Sequence, residues 1–342
     1  MQTKMMSQST CGSAFNRVDL RDRFQGALIG LRLAPVAIFL ESRSAKSLLY
    51  QATKRVADDG IAQTKAFAIA PNNWELDTAC LSDSACWLPA CVPMLLRYHN
   101  DWQQRLAILS KLQAYQPLDC QSDRAPRDFE VGIANQNKPA DKAADKAAAT
   151  ESVHQSIAQI LLLGDVLETM SVGAMPAAPT DWLRWLDDRS SRYSAILPAG
   201  AHYKTALAAI AKNMQIDYPI GSLASRNAGE PHRAFAAGIS SALLHPESYL
   251  FAVRGLTGND LTNSLANTPA SSPAKSPAED LQSTGGLASV CLSVCVAGFL
   301  SGALSGRHSL PVLLQLPLSV ERDLASELFI QWTGQRSTGS NN

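Results

Sequence analysis

The residues of this chain that could carry chemistry are seven cysteines, six histidines and a few isolated carboxylates, and their spacing decides what kind. Cys86/Cys91 and Cys291/Cys295 do not have the C-x-x-C spacing of zinc ribbons, and no histidine pair stands near either to complete a site. The cysteine total is odd, and Cys80, Cys86, Cys91, Cys291 and Cys295 lie inside apolar runs, so the thiols are expected reduced and packed as small hydrophobes. His99, His154, His202, His232, His245 and His308 are scattered singly, a surface or capping pattern rather than that of a catalyst. No GxSxG elbow, Walker loop, GxGxxG or HExxH is present. Trp182 and Trp185 share a helical face, which core packing explains better than a stacking platform for a ligand. Asp77 precedes an apolar run as a helix N-cap would, and Asp260 sits where an Asx-turn residue is expected.

The elements that must position these residues read as helices. Ala, Leu and Ser dominate and aromatic residues make up only 6%, which favours close-packed helices over a β-sandwich. Apolar periodicity places helices at Asp22 to Glu41, Ala45 to Asp58, Asp77 to Tyr98, Trp102 to Ala114, Ser152 to Met170, Asp181 to Asp187, Tyr203 to Asn213, Pro231 to Leu244, Glu247 to Leu256, Gly286 to Gly306 and Ser319 to Trp332. In the fifth, Val153, Ile157, Ile160, Leu161, Gly164 and Leu167 form the stripe, with Gln155, Gln159 and Glu168 falling between them. Pro35, Pro89 and Pro93 inside apolar runs are expected to kink or end their helices.

Two stretches interrupt the pattern. Asn135 to Thr150 alternates Ala with Lys and Asp and reads as a solvated linker or frayed helix, while Gly258 to Gly285 has a disordered-loop composition rich in Asn, Ser, Thr and Pro. Both read as insertions into one helical domain spanning 21–333, with flexible ends at 1–20 and 334–342. Gly286 to Gly306 carries no charge and is long enough to span a bilayer, yet its Gly, Ala and Ser content lacks aromatic belts and basic flanks. It is expected to be a buried central helix, with Gly298, Gly302 and Gly306 at the closest contacts. Thirty basic and thirty acidic residues balance, and no basic cluster interleaved with aromatics supplies a nucleic-acid footprint. No export signal is read in Met1 to Phe15, so a cytoplasmic location and no membrane partner are expected.

Two segments resemble a known family. DRFQGALIG, from Asp22 to Gly30, looks like the opening helix of the ADP-ribosylglycohydrolases, and AGFLSGALSGRHSLP, from Ala297 to Pro311, looks like their late helix. The resemblance implies an all-α orthogonal helical bundle with a cleft holding two Mg²⁺ ions, used to hydrolyse ADP-ribosyl bonds. Paired divalent ions need several carboxylate and hydroxyl oxygens. Ala34 and Pro35 stand where the family has a Gly-Asp pair, and NWELDTACL keeps one Asp and one Thr of the early motif, Asp77 and Thr78. The late motif falls either on Ser289, Cys291 and Leu292 or, if the insertion splits it, on Asn259, Asp260 and Thr262. The low-count metal candidates are thus Asp77, Thr78, Asp260 and Thr262.

The expectation is a non-catalytic ADP-ribosylglycohydrolase-like protein, a pseudoenzyme with no cofactor that binds or scaffolds an unknown protein or an ADP-ribose-like small molecule. The alternatives are an active Mg²⁺-dependent hydrolase with divergent ligands, or a membrane-attached helical protein.

Overall fold

The computed structural model describes residues 18–42, 48–69, 81, 87–114, 139–171, 179–194, 199–214, 231–257, 277–307, 310–311, 315 and 318–333. Among these, eleven helices and no strand are present: α1 (Leu20–Ser42), α2 (Leu48–Ile69), α3 (Trp87–Arg97), α4 (Trp102–Ala114), α5 (Pro139–Ser171), α6 (Pro179–Ser194), α7 (Ala199–Met214), α8 (Pro231–Leu244), α9 (Tyr249–Thr257), α10 (Pro277–Ser305) and α11 (Ser319–Thr333). The all-α expectation holds, and α4 and α8 have the bounds that periodicity gives them.

Four helices, α5, α6, α8 and α10, begin on a proline, whose fixed φ and missing N–H suit the first helical position. Two of those starts correct the sequence reading. α5 runs back to Pro139 through most of the stretch read as a linker or frayed helix, and α10 begins at Pro277, within the stretch read as disordered. Alanine's helix propensity explains the first extension, because a segment need not bury a large side chain to stay helical when it continues an anchored helix. The helices also pass through Pro35 and Pro93 without ending there. Of the expected flexible ends, 1–17 and 334–342 lie outside the described residues, as does 258–276, whereas Leu20 already opens α1.

α1 and α10 form the centre and run antiparallel. Gly26 faces Gly302 and Gly30 faces Gly298 so closely that a Cβ on Gly298 would lie 2.8 Å from the carbonyl oxygen of Gly30, and one on Gly302 would lie 2.6 Å from the carbonyl carbon of Gly26. Only hydrogen fits at such a backbone-to-backbone seam. Arg23 fastens the same seam from its end, Nη1 donating to the carbonyls of Ala303 (3.2 Å) and Leu304 (3.0 Å), which the last turn of α10 leaves without helical partners. Gly306 then closes α10 in the left-handed region, φ +67°, where a β-carbon is disfavoured.

The other helices pack around this pair. Tyr249 of α9 donates its hydroxyl to Gly30 O at 2.7 Å, Gly238 of α8 meets Ser293, and Gly60 of α2 admits Leu31. Phe24 stacks edge-on against Phe329 and Trp332 of α11. Gly298, Gly302 and Gly306 therefore sit at close contacts, as expected. Leu20–Leu40 and Leu287–Ser305 are long and apolar enough to cross a membrane, but 78% and 89% of these windows are buried inside the fold, as core helices are. Cys91, Cys291 and Cys295 are buried thiols outside any disulfide, in line with the reading of the cysteines. Burial raises the Cys291 thiol to about 11, and the Thr53 hydroxyl 3.5 Å away opposes that shift.

Candidate functional site

Among the described residues, a buried charge cluster lies where α3, α4, α5, α6 and α7 converge. Asp101 starts it by accepting the Gln104 N–H at 3.0 Å, an N-cap that sets the first turn of α4 and hence the direction of Arg105. Arg105 and Asp165 are both fully buried and pair at 3.1 Å. Arg105 Nη1 also donates to the carbonyls of Tyr98 (2.6 Å) and His99 (3.0 Å), just beyond α3, where a cation meets the negative end of the helix. Its Nη2 is shared between Asp165 Oδ1 and Glu168 Oε2, the latter at 3.0 Å. The guanidinium comes this close to α5 because residue 164 is glycine: a Cβ there would stand 2.6 Å from Arg105 Nε.

The two carboxylates are then completed by α6 and α7. Tyr193 donates to Asp165 Oδ1 at 2.8 Å and Tyr203 to Oδ2 at 2.9 Å. Glu168 Oε1 accepts Arg189 Nη1, with Arg192 Nη1 3.6 Å away. Both arginines are braced by indoles, Arg189 at 3.7 Å over Trp185 and Arg192 at 5.1 Å over Trp102. Burial raises the Asp165 carboxyl above its ordinary value, a shift that Arg105, Tyr193 and Tyr203 oppose. The same burial, reinforced by the Asp165 charge, raises Tyr193 and Tyr203, so both phenols stay protonated as donors. His99 is lowered, chiefly by burial, and so is held neutral.

A narrow crevice borders both this cluster and the central seam, with Arg23 and Phe24 on one side and His99, Leu167 and Met170 on the other. Phe24 meets the His99 ring edge-on at 5.1 Å. The cluster therefore locks five helices to one another and borders the α1–α10 pair.

Asp77, Thr78, Asp260 and Thr262 lie outside the described residues. Trp182 is in the core as expected, whereas Trp185 is half-buried and carries Arg189. The cluster itself is absent from the sequence reading, which put Gln159 and Glu168 off the apolar stripe of α5; the structure buries both. Asp165 was legible as one charge inside the apolar run LLLGDVL, where a carboxylate needs a partner. Among the described residues no group of three or more His, Cys, Asp or Glu side chains is arranged to hold a metal ion. Asp165 and Glu168 do not fit Mg²⁺, because a divalent ion there would have to displace Arg105, already within 3.1 Å of both.

Comparison with protein-family models, with curated proteins and with solved structures finds no match for this chain.

Proposed function

We propose that this chain is a non-catalytic helical protein with an ADP-ribosylglycohydrolase-like framework, working by binding or scaffolding rather than by turnover. What supports the reading is the state of the buried carboxylates. The three among the described residues, Asp165, Glu168 and Glu321, are all held by cationic partners: Asp165 by Arg105, Glu168 by Arg105 and Arg189, and Glu321 by Arg32 at 3.4 Å. A buried carboxylate paired with a cation in this way ties helices together, and the charge it would offer a metal is already offset by its partner.

A second support is local. The two segments that carry the family resemblance are the ones that meet at the central seam, Arg23 and the glycines of DRFQGALIG against AGFLSGALSG. They belong together as one packing unit, which is what a preserved framework requires. Beyond that frame, the metal candidates Asp77, Thr78, Asp260 and Thr262 supply two carboxylates and two hydroxyls, too few for two divalent ions that repel each other.

Calorimetric titration of the full chain with Mg²⁺ tests the reading. It predicts no saturable heat at micromolar affinity; a tight site lost in Asp77→Ala or Asp260→Ala contradicts it.

A further inference from the structure

We draw no further inference here: the strongest candidate, the hollow between α5, α7 and α8 that gathers Glu151, His202 and His232, carries nothing because no three described His, Cys, Asp or Glu side chains are arranged to hold a metal ion and nothing in the structure shows what fills it.

Discussion

Gly302→Ala and Gly60→Ala are the same chemical change in two buried helices, and the structure gives them opposite signs. A methyl group at Gly302 meets backbone: Gly26 C at 2.6 Å and Gly30 Cα at 3.1 Å, both in α1. Neither atom can rotate away, so α1 must withdraw, and the Arg23 bonds to Ala303 O and Leu304 O lengthen with it. Overpacking of this kind costs about 1–3 kcal/mol, and the two-sided backbone contact puts it at the upper end. Alanine returns about 1 kcal/mol of helix propensity, leaving a net loss of roughly 2 kcal/mol. At Gly60 the methyl meets the end of the Leu31 side chain at 3.0 Å and Pro89 Cα at 3.6 Å. A leucine methyl can shift by a few tenths of an ångström, so the propensity gain survives and Gly60→Ala is expected to be neutral or stabilising by up to about 1 kcal/mol. Urea unfolding of the three proteins, with equal m-values, reads the difference. A Gly302→Ala protein as stable as wild type, or a Gly60→Ala protein less stable than Gly302→Ala, refutes the seam argument.

Arg105→Met removes the cation shared by two buried carboxylates and is expected to cost about 3–5 kcal/mol; adding Asp165→Asn should recover part of that loss, and a double variant worse than the single one in urea unfolding contradicts the pairing. Stability should also fall on acidification. His99, His154 and His245 are all lowered from 6.5, chiefly by burial, so the unfolded chain takes up protons that the native one refuses as pH drops below 6.5. Asp165, whose carboxyl is raised, works in the opposite sense at lower pH, since the native state there holds its proton more tightly than the unfolded chain does. Thermal melts from pH 7 to pH 5 should therefore show a falling midpoint, less steep in His99→Gln; a flat profile, or an unchanged slope in that variant, removes His99 from the account.

The central helix pair was legible because its signal is one-dimensional. Gly298, Gly302 and Gly306 recur at four-residue steps, which puts them on one face, and a face of glycines has few uses besides close approach. Helix starts were half legible: Pro139 and Pro277 mark first helical positions, but the sequences after them, PADKAADK and PAEDLQSTGG, carry few large apolar residues, so apolar periodicity is silent there. The charge cluster was the least legible. Arg105, Asp165, Tyr193 and Tyr203 come from four helices, and although Asp165 stands out as a charge in an apolar run, nothing on its own helix names its partners, while the other three look like ordinary polar residues. Only the fold shows that Gly164 makes room for a guanidinium and that Glu168, spaced like a solvent-facing residue, points inward. The metal candidates Asp77, Thr78, Asp260 and Thr262 came from the resemblance alone.

The most direct measurement is release of free ADP-ribose from ADP-ribosylated protein and from a small ADP-ribosylated acceptor, followed with the full chain and excess Mg²⁺. The non-catalytic reading predicts no release above the enzyme-free control at any protein concentration tested. Turnover that scales with protein and disappears in Asp77→Ala or Asp260→Ala contradicts it.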